Sequence, residues 1–145
     1  MCVADCGIGR IIKLSIAVSL DEIIRRWKSY TGIPYLRIAL APDKTPSDTL
    51  ISSIAICVGS GASVLMGQKA DLYFTGEMSH HEILKATMAH NATVILTEHT
   101  NCERGYLKDH LAARLHSELL NSGKDAMCQY EVMVSLGDRD PITII

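Results

Sequence analysis

The segment Thr97-Glu98-His99-Thr100-Asn101-Cys102-Glu103-Arg104-Gly105 holds the densest chemistry in the chain. His99 and Glu103 lie four residues apart, across a predicted strand-to-helix turn that can aim both side chains into one crevice. An imidazole nitrogen and a carboxylate together suit a borderline divalent ion of the Zn, Mn, Fe or Co class. The same residues also have a purely structural reading. Glu103 then closes a capping box with Thr100, and His99 bonds only a backbone group. Spacing leaves both readings open. Cys102 lies between the two and is a candidate nucleophile beside an imidazole. It ranks below the metal reading, because the sequence shows no clear partners for it.

Two more segments carry candidates. Gly59-Ser60-Gly61-Ala62-Ser63 is a Gly-rich turn whose N–H groups can cradle an anion at a helix N-terminus. It lacks the spacing of a dinucleotide fingerprint and has no G-K-[ST] ending. A tight turn that brings helix and sheet together explains it equally. In Thr75-Gly76-Glu77-Met78-Ser79-His80-His81-Glu82, Glu77 falls on a loop. His80 and His81 fall on a helix, about 100° apart, so they do not share one ion. One is expected at the crevice and the other in solvent. Tyr73 and Phe74 read as core. Arg25, Arg26 and Lys28 read as a solvated helix face, and His90, His110 and His116 as surface residues near helix ends.

The elements that position these residues follow from periodicity and punctuation. Gly7-Ile8-Gly9-Arg10 is a turn before a short strand, Ile11–Leu14. Ser19-Leu20-Asp21-Glu22 fits a capping box that opens a helix, which Gly32-Ile33-Pro34 ends. Tyr35 to Ala41 reads as a strand, and 42–48, with two prolines, as a flexible loop. Ile54-Ala55-Ile56-Cys57-Val58 is a continuous apolar run, as in a strand buried on both faces. A short helix to about Lys69 follows the Gly-rich turn. Asp71–Phe74, ended by Thr75-Gly76, is the next strand. Ser79-His80-His81-Glu82 opens a helix to about His90. Thr93–Thr97 is a strand, and Thr100–Glu103 opens a long helix to about Leu120, ended by Gly123. Gln129 to Leu136 reads as a last strand. Strands alternating with helices predict an α/β fold, a mainly parallel or mixed sheet covered by helices. The three candidate segments then share one sheet edge, at the carboxyl ends of the strands, where open α/β sheets place their ligands.

Composition bounds the rest. The chain has 145 residues, 48% hydrophobic and 21% charged, with a formal net charge of −2. That describes one globular domain, 1–145, or half of a larger one, and argues against disorder. The near-balanced charge argues against direct nucleic-acid binding. No apolar run reaches the ~18 residues of a membrane span, so no membrane association is expected. Aromatics are only 5%, with one Trp and one Phe, so the core must be aliphatic. The five cysteines are odd in number and irregularly spaced, which reads as reduced thiols in a cytosolic compartment. The N-terminus has no secretory or transit pattern.

Three motifs in fixed order carry a resemblance. Val58–Ser63, Ala70–His81 and Glu98–Gly105 together resemble the C-terminal half of the NIF-three-like family, also known as the GTP cyclohydrolase I type 2 homologues. The ending Asp138-Arg139-Asp140-Pro141 resembles animal members. Gly7–Arg10 and Val18–Leu20 resemble the segment before the shared core. The likeness covers nearly the whole chain. It implies a half-fold of an α/β protein whose two related halves enclose a dinuclear metal site, and which assembles into toroidal hexamers. His99 and Glu103 match the family's metal-binding H-x-x-x-E loop. Glu77 and His81 match a T-G-[ED] motif lining the same pocket, and Gly59, Ser60 and Gly61 match its Gly-rich turn. The remaining ligands belong to an N-terminal half that this chain lacks, so the resemblance implies an incomplete site, exposed apolar surface and self-association. It further implies either a metal-dependent hydrolase acting on a nucleotide-like substrate, or a partner of transcriptional regulators in the cytoplasm or nucleus.

Overall fold

The computed structural model describes residues 6–122 and 130–143. Its contacts divide the chain, read from sequence as one domain, into two compact units, Met1–Cys102 and Glu103–Ile145.

The first unit is a five-stranded mixed sheet with helices on both faces, the predicted class. Its strands are β1 (Arg10–Ser19), β2 (Arg37–Ala39), β3 (Leu50–Ser60), β4 (Leu72–Glu77) and β5 (Thr93–Leu96). Their spatial order is β1-β3-β4-β5-β2. The central strands β3, β4 and β5 run parallel, while β1 and β2 flank them antiparallel. Side chains alternate across the sheet. Ala55, Cys57, Tyr73, Val94 and Leu96 pack on one face with Ala62 and Leu65 of α2 (Ala62–Leu65) and with Met78. Leu72, Phe74 and Ile95 pack on the other with Leu20, Ile23 and Trp27 of α1 (Leu20–Thr31). Tyr73 and Phe74 are both buried, as expected. The edge strand β1 leaves Ile11, Ile12 and Ile16 exposed.

Local signals set the helix ends. The Ser19 hydroxyl accepts the Glu22 N–H, and Gly32 ends α1 in the left-handed region at φ 71°. The reciprocal arm of the expected capping box is replaced. The Glu22 carboxylate instead accepts from Arg25 and Arg26 at 2.7 Å, which holds its pKa down to about 2 and keeps both arginines on the solvated face. In α3 (His80–Leu84) the box is complete, with the Ser79 N–H donating to Glu82 at 2.7 Å. That helix widens into a π turn, Lys85–Ala89.

Several boundaries move. β2 covers three residues of the predicted 35–41, because it pairs only with the four-residue β5. α2 stops at Leu65, short of Lys69. β4 continues through Thr75 and Gly76 to Glu77. The expected strand ending at Leu136 is absent: residues 130–136 form no ladder. Strand propensity there finds no neighbour to pair with among the described residues. Gln129 and Gly123 lie outside the described residues, as do Cys2 and Cys128.

The second unit begins inside a helix. It comprises most of α4 (Asn101–Tyr106), a π turn (Leu107–Leu111) and α5 (Ala112–Asn121). Arg104 pairs with Asp138 at 2.9 Å and lies 3.9 Å from Asp140. The guanidinium holds the Asp138 carboxyl below its ordinary range. His110 and His116 are exposed, as predicted.

One side chain closes the entry to β4. Asp71 accepts from the Ser52 and Ser53 N–H groups at 2.8 and 2.9 Å and from the Ser53 hydroxyl at 3.0 Å. Hydrogen bonds to a charged acceptor contribute ~1.5–3 kcal/mol. Asp71→Ala should therefore lower unfolding free energy by about 2 kcal/mol, read from the urea midpoint; a change within about 0.5 kcal/mol would contradict this account.

Candidate functional site

The carboxyl ends of β3, β4 and β5 meet, as the element order predicts. At the end of β3, Cys57 pairs with Thr75 and Ser60 with Glu77, so β3 carries one extra residue there. This is a β-bulge, and Gly59 takes the left-handed conformation it needs, at φ 66°. The bulge turns the chain over the next strand end. A Cβ on Gly59 would lie 3.2 Å from His99 Nε2, so the imidazole rests against the bare glycine.

The turn's N–H groups face inward. Gly59 N–H donates to Cys102 Sγ at 3.4 Å, and Gly61 N–H donates to Thr75 Oγ1 at 3.1 Å. The Thr75 hydroxyl donates in turn to Gly59 O at 3.1 Å. Between Gly59 and Gly61 the donors serve the closure of the sheet edge, and the anion-cradle reading loses two of its groups.

β4 supplies Glu77 at its last position. Its carboxylate meets His99 Nδ1 at 2.7 Å. The pair is roughly half exposed, at 43% and 54%. At that exposure an ion pair adds only ~0–1 kcal/mol to stability. Its effect is on orientation: a carboxylate on one ring nitrogen fixes the ring and directs the other nitrogen elsewhere.

Just beyond β5, Glu98 meets Arg37 of β2, two residues that sequence reasoning left without a role. Glu98 is buried and holds a left-handed backbone, φ 65°, unusual for a side chain with a Cβ. Arg37 of β2 grips it through two contacts, Nε to Oε1 at 2.8 Å and Nη2 to Oε2 at 3.2 Å. The fork fixes the strained residue next to His99. A signal existed: an acidic residue following a buried strand requires a partner, and Arg37 is the cation on the strand beside it.

The remaining candidates are placed differently. Cys102 donates to the His99 carbonyl at 3.3 Å and not to its ring, so among the described residues it has no base in contact. Cys57 is buried on the core face, and burial pushes its thiol pKa up. His80 and His81 are both exposed, their rings edge-on at 5.8 Å. Neither is drawn to the Glu77–His99 pair. His90 departs from the surface reading, since its Nε2 is buried without a hydrogen-bond partner among the described residues. Glu103 stands in the first turn of α4, in the second unit. Among the described residues, no three His, Cys, Asp or Glu side chains gather as a cation site.

Gly76 sets the tolerance of this edge. A Cβ there would lie 2.7 Å from Gly59 O, 2.8 Å from Glu98 O and 2.9 Å from His99 O. Three backbone carbonyls cannot yield as a flexible side chain can.

The sequence matches the family described as Duf34/NIF3 (NGG1p interacting factor 3) over residues 2–141. A fission yeast protein NIF3 homolog (Schizosaccharomyces pombe) is 47% identical over 94% of this chain and 46% of its own length. The bovine NIF3-like protein 1 (Bos taurus) is 42% identical over 96% of this chain and 34% of its own. The NGG1-interacting factor 3 of Saccharomyces cerevisiae is 37% identical over 95% and 45%. The chain thus spans less than half the length of each. A Bacillus cereus protein related to NIF3 superposes with a TM-score of 0.74 over 96% of this chain and 36% of that one, at 20% identity. That likeness carries the fold alone.

Overpacking at a well-filled site costs ~1–3 kcal/mol. Gly76→Ala should fall at the top of that range, about 3 kcal/mol by urea unfolding, and should separate Glu77 from His99 as seen by nuclear Overhauser contacts. A loss below about 1 kcal/mol with those contacts intact would refute the close-approach argument.

Proposed function

This chain belongs to the Duf34/NIF3 family, and on that premise we propose that it corresponds to the C-terminal half of a longer member and contributes His99 and Glu103 to a divalent-metal site. The observation that carries the reading is the Glu77–His99 contact at 2.7 Å. A metal-binding imidazole typically has a carboxylate or carbonyl on its other nitrogen. Glu77 supplies that support, Gly59 gives the ring room, and the Arg37–Glu98 fork holds the turn that carries it. The donor set fits a partial site and not a complete one. Two protein ligands leave most of a coordination sphere open, whereas catalytic zinc sites usually keep three. We assign the missing ligands to a segment outside this chain, which spans less than half of its relatives.

A divalent ion held there would acidify bound water and polarise an ester or phosphoryl oxygen, so the proposed chemistry of the whole protein is metal-dependent hydrolysis. The substrate class we favour is nucleotide-like. Within this chain, Glu77 and Gly59 position His99, and Glu103 offers a carboxylate from α4. Self-association is part of the proposal: β1 presents an open edge and exposed Ile11, Ile12 and Ile16, the features that invite a neighbouring strand or chain.

A second reading rests on one name. The budding yeast relative is called NGG1-interacting factor 3. We propose, as the alternative, a non-catalytic role in which this chain binds a transcription regulator in the nucleus.

Two experiments divide these readings. Titration of the chain with Zn²⁺ or Mn²⁺ at neutral pH should show weak binding or none, with affinity no better than micromolar. Sub-micromolar affinity abolished by His99→Ala would overturn the partial-site reading. Capture of NGG1p by the chain that survives chelator and His99→Ala would favour the interaction reading, and capture lost under both treatments would favour the metal site.

A further inference from the structure

Between α1 and the sheet lies a cleft-like cavity of about 280 Å³, open to solvent on the side of Ile12, Tyr30 and Val58. Ile23 and Trp27 of α1, Ile12 of β1, Ile54 and Ile56 of β3 and Phe74 of β4 form its apolar walls. It is larger than the roughly 150 Å³ apolar cavity that suffices for benzene in an engineered protein. The Trp27 and Phe74 rings, 6.2 Å apart and tilted by 50°, both line it, and aromatic side chains pack favourably with a further ring.

The polar lining groups decide what kind of guest fits. Thr31 Oγ1 donates to Trp27 O at 2.9 Å and accepts the Ile33 N–H at 3.3 Å. Thr75 Oγ1 donates to Gly59 O and accepts from Gly61 N–H. Cys57 donates to Ile8 O at 3.5 Å. Cys102 accepts from Gly59 N–H and donates to His99 O. These hydroxyls and thiols are already committed, and the remaining polar lining residue, Tyr30, is 63% exposed and keeps its access to water. A water molecule inside needs two to four polar partners. A charged guest would lose hydration with nothing to replace it.

We propose that this cavity is a binding site for a neutral planar aromatic group of one or two rings. Thr75 and Cys102 border it and also hold the Gly59 bulge on which His99 rests, so the bound ring would adjoin the Glu77–His99 pair without sharing its ligands. The inference stands apart from the metal reading, because neither His99 nor Glu103 lines the cavity.

Trp27 is the sole tryptophan, so its emission reports on the cavity directly. The full chain is titrated with nitrobenzene, a neutral aromatic quencher, and with 4-nitrobenzoate, the same ring carrying a charge, both in chelator. Nitrobenzene should quench saturably, and 4-nitrobenzoate should bind at least tenfold more weakly. Val58 also borders the cavity and is half exposed. Val58→Phe should weaken nitrobenzene binding at least tenfold while retaining a cooperative melt, and Ile12→Phe serves if that variant does not fold. Quenching that rises linearly and equally for both probes, or saturation unchanged in the folded variants, would overturn the proposal. Chelator is present throughout, so a failed metal site leaves these outcomes unaltered.

Discussion

The close approach of three strand ends governs this structure. Gly76 sits where the backbone of β4 passes within van der Waals limits of Gly59 O, Glu98 O and His99 O. No side chain fits among those carbonyls. Because the strands are parallel and adjacent, their last residues converge at one edge, and this approach fixes how tightly. Glu77 then emerges one residue beyond Gly76 and His99 emerges three residues beyond the last residue of β5, close enough to bond at 2.7 Å. A wider edge would separate them.

Stability and orientation are divided between two side-chain pairs. Glu98 is buried, and its strained backbone persists because Arg37 engages both carboxylate oxygens. Removing the guanidinium would leave the buried Glu98 without the partner that engages both its oxygens. Glu77–His99 is solvated and contributes little to folding. The first pair fixes where the turn goes, and the second fixes how one ring faces once the turn is there. Such a division lets the exposed residues be chosen for chemistry while the buried one bears the strain.

The sequence announced most of this arrangement through local rules. Alternating apolar runs and caps placed the parallel core β3, β4 and β5, and the carboxyl-edge rule brought Gly59, Glu77 and His99 together. Local rules failed where a distant partner decides. Residues 130–136 have strand composition, yet composition cannot supply the neighbour a ladder needs. The Gly59 turn looked like an anion cradle because its donors are visible in sequence, whereas their acceptors, Cys102 and Thr75, lie 43 and 14 residues away. Helix geometry places one of His80 and His81 toward the crevice, but the first turn of α3 leaves both exposed. Arg37 and Glu98, 61 residues apart, could be joined only by the pairing of β2 with β5.

That last pairing also explains why so short a strand persists. β2 has three residues, and a ladder of that length is weak by itself. Its first residue is Arg37, which pairs with Leu96, the last residue of β5. The side chain therefore emerges level with the strand end and reaches Glu98 just beyond it. A fork that holds a strained, buried carboxylate adds to β2 a contact its backbone ladder does not provide. The edge strand and the turn thus support each other: β2 is retained by the turn it stabilises, and the turn keeps His99 in place because β2 is there.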